Sequence, residues 1–412
     1  MLAKRMLKTA STYTLGLLFL TACGDASSTS NNGQNTQDSA DADTVAAKVE
    51  IPKPQDRQFD DIARFIAGLP SREGSPYAKF EEESVWKNYA QTMDGRWSSI
   101  TTQKLPKIEK WRDEELKDIN TGGGTLFYPF SGPDFLHAIT FFPKMDTIVM
   151  VGLEPIGSVP NPDNITKKSL AGYFGGLQQS LSTILSYSFF RTLAMENDFT
   201  GRVVSDIDGT LPVLMLFMVR TNHKILHYEK VVLTDEGKAI TADSTALKDK
   251  GKYIATKVAF CHQDRPDEYR IVYYFSANLQ NTAYGARPGI DERADFKGFL
   301  SSLNPRATYL KSASYLMYRD SFSSIRNLIL DNSRYLLQDD SGMPINTINR
   351  ERWKLIFYGN YVAPIPLFRE RYQADLRKIY IDKEANGVRN LPFGIGYQYQ
   401  EGTSNLMLGV RQ

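Results

Sequence analysis

Residues Tyr253 to Ser276, YIATKVAFCHQDRPDEYRIVYYFS, decide the fold class. Two runs rich in β-branched and aromatic residues, Tyr253 to Phe260 and Tyr269 to Ser276, flank the polar turn Gln263-Asp264-Arg265-Pro266-Asp267. That texture predicts a hairpin. The same reading predicts another just upstream, with Leu211 to Arg220 and Lys224 to Leu233 joined by Thr221-Asn222-His223. Hairpins pair their strands antiparallel, so the middle of the chain reads as antiparallel sheet.

Outward from this centre the pattern turns helical. Ser169 to Met195 (SLAGYFGGLQQSLSTILSYSFFRTLAM) is apolar nearly all round, which places a helix in the core. Phe59 to Leu69 has helical spacing and stops at Gly68 and Pro70, and Tyr77 to Asn120 reads as two or three amphipathic helices carrying Trp86, Trp97 and Trp111. After the joint Thr121-Gly122-Gly123-Gly124 come strands at Thr125 to Phe130 and Thr147 to Glu154, separated by the short apolar stretch Phe135 to Phe142. Downstream, Glu292 to Leu303 and Ser314 to Leu330 read as helices. Arg334 to Gln338, Trp353 to Tyr361, Phe393 to Gln400 and Leu406 to Val410 read as strands. Blocks that cluster instead of alternating predict an α+β fold, a mainly antiparallel mixed sheet with N-terminal and packed central helices. The expected organisation is one globular domain over 48–412, with room for a helical subdomain at 48–120.

The chain has 412 residues with 49 Lys plus Arg against 47 Asp plus Glu, 4 His and 2 Cys. Near-neutral charge provides no basic stripe for nucleic acid. Two cysteines exclude a disulfide scaffold and a cysteine-built metal cluster. No apolar run reaches the length of a membrane-spanning helix, which excludes a multi-pass membrane protein.

The first residues read as an address. Lys4, Arg5 and Lys8 form a positive segment, Leu15 to Leu20 a short apolar one, and Leu20-Thr21-Ala22-Cys23 follows. This pattern resembles the lipobox of bacterial lipoproteins. The resemblance implies a signal peptide at 1–22, cleavage before Cys23, and diacylglyceryl and acyl chains on Cys23, enough for stable anchoring. Residues 23–47 hold Ser, Asn, Asp, Thr, Gln and Ala without an aromatic, Lys or Arg, a composition that reads as a disordered tether. Gly24, with Asp25 one later, favours the periplasmic face of the outer membrane by the same resemblance. The leader removes Lys4, Arg5 and Lys8, and the tether holds Asp25, Asp38, Asp41 and Asp43, so the folded part is mildly basic.

For chemistry the sharpest string is Val203-Val204-Ser205-Asp206-Ile207-Asp208-Gly209-Thr210-Leu211. It resembles the first motif of haloacid-dehalogenase-type phosphohydrolases. Carried over, Asp206 is the nucleophile and Asp208 the acid/base around a magnesium ion, Ser276 is a phosphate-binding hydroxyl, and Asp339 and Asp340 are metal-binding carboxylates. Against this stand the short strand before the motif, its distance into the chain, and the hairpin texture downstream. Asp-Gly between extended segments is also ordinary turn chemistry.

Ser131, Asp134 and His137 invite a hydrolase reading, but Pro129 and Pro133 replace the glycines of a nucleophile elbow. Helix capping by Ser131 or Gly132, with Asp134 at the positive end of the dipole, fits better. His223 and His227 on a strand stand ~13 Å apart at ~3.3 Å per residue, too far for one ion. Cys261 beside His262 reads as a solitary reduced thiol.

The string Phe127-Tyr128-Pro129-Phe130-Ser131-Gly132-Pro133-Asp134-Phe135, with Gly152-Leu153-Glu154-Pro155, resembles uncharacterised exported bacterial proteins and implies no activity. The place to look for a site is where Ser131, Asp134, Asp339 and Asp340 converge at strand ends. The sequence therefore describes a lipid-anchored cell-envelope protein, a periplasmic binding or structural module more than an enzyme. It needs no cofactor, with magnesium only under the phosphohydrolase alternative. Its partners are the membrane and an envelope protein or small molecule.

Overall fold

The computed structural model describes residues 56–158, 161–166, 169–178, 209–249 and 253–412. Among the described residues ten strands form one sheet: β1 Thr125–Pro129, β2 Thr147–Gly152, β3 His223–Leu233, β4 Ala239–Thr241, β5 Ile254–His262, β6 Arg265–Ser276, β7 Ala307–Leu310, β8 Tyr335–Gln338, β9 Trp353–Gly359 and β10 Asn405–Arg411. Their order is β4-β3-β5-β6-β2-β1-β7-β8-β10-β9. The fold is α+β, and most pairings are antiparallel: β4, β3, β5 and β6 at one edge, and β8, β10 and β9 at the other. The expected hairpin at Tyr253 to Ser276 is β5 and β6, in register from Ala255 opposite Phe275 to Cys261 opposite Tyr269.

The centre of the sheet is parallel. β6, β2, β1, β7 and β8 run the same way, Thr125 beside Thr147, Thr147 beside Ile271, and Ala307 beside Tyr335. Parallel neighbours need a crossover, and helices supply it. The helices are α1 Arg57–Ile66, α2 Ala78–Glu81, α3 Ser84–Gln103, α4 Leu105–Glu115, α5 Phe135–Phe141, α6 described over 169–178, α7 Leu211–Arg220, α8 Ala294–Ser302, α9 Ser323–Asn332 and α10 Ala374–Ile381. α5 connects β1 to β2, α8 connects β6 to β7, and α9 connects β7 to β8. Strand and helix thus alternate over 265–338, where clustering had argued for hairpins.

Side chains alternate across the pleat, so each strand feeds two cores. Leu126 and Tyr128 of β1, with Ile148 and Met150 of β2, pack beneath α1, α3, α4, α5 and α7. Phe127, Val149 and Val151 point the other way, toward Phe296, Ile325, Ile329 and Leu376 of α8, α9 and α10. Asp60 on α1 is buried, pairs with Arg72 at 2.6 Å and accepts from the Ile225 amide at 2.9 Å, which ties the first helix to β3.

Two sequence expectations are corrected. Leu211 to Arg220 is the helix α7, not a strand, with Leu211 through Val219 all buried. A continuous apolar run cannot distinguish a buried strand from a buried helix by periodicity. Pro212 in the first turn and the Leu and Met content carry the helical signal. Phe393 to Gln400 is a folded loop with a single bridge between Ile395 and Gln398. There the backbone turns back so closely that a Cβ on Gly394 would strike the Tyr399 carbonyl. Of the expected helix at Ser169 to Met195, 169–178 is helical and the remainder lies outside the described residues.

Candidate functional site

In a sheet with a parallel centre, the C-terminal ends of the strands form one rim, and a crevice opens where successive connections leave in opposite directions. Here β1 has β2 on one side and β7 on the other, so that point lies between β1 and β7. The residues just past the strand ends are Phe130 to Asp134 after β1, Leu153 and Glu154 after β2, Ala277 and Asn278 after β6, Lys311 and Ser312 after β7, and Asp339 and Asp340 after β8. Two of them, Phe130 (φ 58°) and Ser312 (φ 62°), hold left-handed backbone without being glycine, a strain that collects at functional sites.

Asp134 caps α5, accepting from the His137 amide at 3.2 Å, so the cap is Asp134 and not Ser131 or Gly132. Its carboxylate also takes the Tyr128 hydroxyl at 2.8 Å, the Lys311 ammonium at 2.6 Å and His137 Nδ1 at 2.8 Å. Burial alone would raise this carboxyl, but the contacts with His137 and with the Lys311 ammonium hold it well below the usual range. His137 is buried too, and its imidazole is pushed down by desolvation and by Lys311, against the pull of Asp134. Ser131 takes no part: its hydroxyl faces the Val151 carbonyl at 3.4 Å, which leaves Asp134 and His137 without a serine nucleophile.

Asp339 and Asp340 are both buried and both pushed up, by burial first and, for Asp339, by the charge of its neighbour. Asp339 accepts from the Ser341 amide at 3.0 Å and the Ser312 amide at 3.4 Å. Asp340 accepts from the Tyr315 hydroxyl and from Asn405 at 3.0 Å. Their oxygens are engaged within the fold, which does not suit a pair of magnesium ligands. Asp134 and Asp339 flank Lys311 and Ser312, whereas Asp340 turns toward Tyr315 and Asn405.

Asp206, Asp208 and Cys23 lie outside the described residues. Thr210 donates to the Pro155 carbonyl at 3.0 Å and leads into α7, so the stretch after the Asp-Gly pair enters a helix. Ser276 ends β6 as expected, with its hydroxyl facing the Leu153 carbonyl at 3.4 Å. His223 and His227 both lie on β3, and Cys261 is a buried free thiol raised by burial. Among the described residues no group of three or more His, Cys, Asp or Glu could hold a metal ion.

At the switch point, between the segments that follow β1, β2 and β6 and the segment that follows β7, lies a crevice of about 650 Å³. Its walls are mostly apolar, including Phe130, Leu153, Leu316 and Phe322, and the exposed Arg287 and Arg319 stand among its lining residues. Arg287 is anchored by a 2.6 Å bond to the Leu153 carbonyl. The Arg319 guanidinium makes no hydrogen bond or ion pair among the described residues. Gly132 and Gly152 meet at the base, where a Cβ on Gly152 would lie 3.3 Å from the Gly132 Cα and 2.6 Å from the Tyr274 hydroxyl. Glu154 is buried with its carboxylate at 3.2 Å from that hydroxyl.

The arginines and Lys311 were missed in the sequence. Isolated basic residues carry no periodic signal, and only the sheet order brings 287, 311 and 319 to one rim. Comparison with known protein families, curated proteins and solved structures returns no match.

Proposed function

We propose that the chain is a lipid-anchored bacterial envelope protein whose folded part binds a small organic anion with an apolar body in the crevice beside β1 and β2. The observation that carries this reading is the crevice itself. Its volume and apolar walls are those of a small-molecule site, and it stands at the place in the sheet where such sites form. Arg287 and Arg319 supply cationic, fork-shaped donors that match a carboxylate, sulfonate or phosphate.

A dinucleotide fits poorly. Its pyrophosphate would rest on the N-terminus of the helix after β1, and there Asp134 already supplies a negative cap. Pro133 also removes an amide from that turn. The anion is therefore met by the arginine rim. The phosphohydrolase alternative gains nothing from Asp339 and Asp340, whose oxygens are taken up by Ser341, Ser312, Tyr315 and Asn405.

The test is calorimetric titration of the full-length protein with 4-phenylbutyrate, a soluble aromatic carboxylate. Saturable binding is expected, weakened about tenfold or more by Arg319→Glu, the loss of one charge-assisted hydrogen bond and its reversal to repulsion. Arg319 is exposed, so the substitution leaves the core intact. No saturable binding, or equal binding by the variant, would sink the proposal.

A further inference from the structure

A second cavity, of about 160 Å³, lies against His137. Its walls come from three places: Gln103 and Lys104 at the junction of α3 and α4, Leu136 and His137 at the start of α5, and Phe393 and Tyr399 on the loop before β10. His137 is 4 % exposed, yet its Nε2 makes no hydrogen bond among the described residues.

The tautomer follows from the partners of Nδ1. Nδ1 stands 2.8 Å from Asp134 Oδ1 and 3.1 Å from the Lys311 ammonium; Lys311 already donates to Oδ2 at 2.6 Å, and the ionised carboxylate needs a donor at the shorter Nδ1 contact, which assigns the proton to Nδ1. The remaining nitrogen, Nε2, is then an acceptor at the cavity wall. An imidazole held through Nδ1 by a carboxylate has a fixed ring orientation, the arrangement that presents a base or acceptor to a ligand. A hydroxyl supplies the donor that such an acceptor takes.

The rest of the lining sets the charge. Its single acid, Glu401, is paired with Lys107 at 2.6 Å, which also ties the loop to α4. Lys104 lines the cavity as well, near enough that its charge opposes protonation of His137. The volume admits several waters or a molecule of a few heavy atoms and excludes a nucleotide.

We infer that this cavity is a second binding site, for a small hydroxylated carboxylate of glycolate or lactate size, with the hydroxyl donating to His137 Nε2 and the carboxylate beside Lys104. The site is separate from the crevice and stands whether or not Arg319 binds an anion.

The experiment treats the full-length protein with diethyl pyrocarbonate at neutral pH and reads each histidine by peptide mass spectrometry. The reagent acylates an unprotonated, reachable imidazole nitrogen. His137 is expected to react ahead of His223, whose two ring nitrogens are bonded to Thr221 and Arg270. Glycolate at about twice its dissociation constant should slow His137 about threefold and leave His262 unchanged. Acetate at the same concentration should protect much less, because it lacks the hydroxyl. Lys104→Gln should keep the reaction of His137 and lose the protection. Reaction of His137 no faster than His223, no protection by glycolate or lactate, or equal protection by acetate would overturn the inference.

Discussion

At the scale of single residues, two buried groups show two ways in which the fold handles charge. Asp134 is answered by Lys311, His137 and Tyr128, whereas His223 is kept uncharged. His223 is 3 % exposed, accepts from Arg270 at Nε2 over 2.9 Å and meets the Thr221 hydroxyl at Nδ1 over 2.9 Å. Burial, then the charges of Arg270 and His262, push it down to about 2. The unfolded histidine titrates near 6.5. Between those values the unfolded chain binds the extra proton, so the contribution is whole above about pH 6.5 and falls as pH drops through that window. His223→Gln retains an acceptor for Arg270 and does not titrate. From neutral pH to about pH 5 the native protein should lose roughly 2 kcal/mol more than the variant, read from urea midpoints. Parallel pH profiles for the two proteins would show that His223 can be protonated in place.

Asp134 was readable as part of a capping turn because Ser131-Gly132-Pro133-Asp134 precedes an apolar run. Its partner Lys311 was not, since the pair is formed by residues far apart in the chain.

At the scale of elements, the informative case is α7. Its apolar run was read as one strand of a hairpin, while β3 in fact pairs with β5 and β4. Burial on every side removes the polar face that would have revealed a period of 3.6. Arg220 closes the helix by donating to the Ala67 carbonyl at 2.8 Å and pairing with Asp94 at 2.6 Å, so α7 is held beneath α1 and α3. Met215 has no exposed surface. Met215→Ala should cost about 2–5 kcal/mol by thermal or urea unfolding, the range for a large side chain removed from a packed core. A loss below about 1 kcal/mol would mean that α7 is loosely docked.

β5 and β6 were legible for the opposite reason. Their turn is polar, their pairing is local, and the register from Ala255 to Cys261 needs nothing from the rest of the chain. The loop over 393–400 was misread because its aromatics suit a strand, whereas Gly394 and Gly396 fold it back over the sheet. Gly396 (φ +66°) comes so close to the Asp339 carboxylate that a Cβ would collide with it.

At the scale of the whole molecule, the sheet joins antiparallel edges to a parallel centre, and the larger crevice lies at the rim of that centre while the smaller cavity lies among α3, α4, α5 and the loop before β10. Among the described residues no helix is long and apolar enough to cross a membrane. The attachment proposed from the Leu20-Thr21-Ala22-Cys23 motif is by acyl chains on Cys23. Cys23→Ser should abolish incorporation of a palmitate analogue and leave the signal uncleaved, so the protein should migrate more slowly on a gel. Labelling that persists in the variant would place the lipid elsewhere or remove the lipoprotein reading.

The sequence by itself determined the class of fold, the hairpin of β5 and β6, most helices and the expectation of an anchor. These depend on local periodicity, on turn chemistry and on a short contiguous motif. Only the tertiary structure decided that β6, β2, β1, β7 and β8 run parallel, that α7 is a helix, and that Asp134, His137 and Lys311 meet. Strand direction and side-chain convergence are set by which distant segments share a buried face, and that choice belongs to the packing of the whole chain.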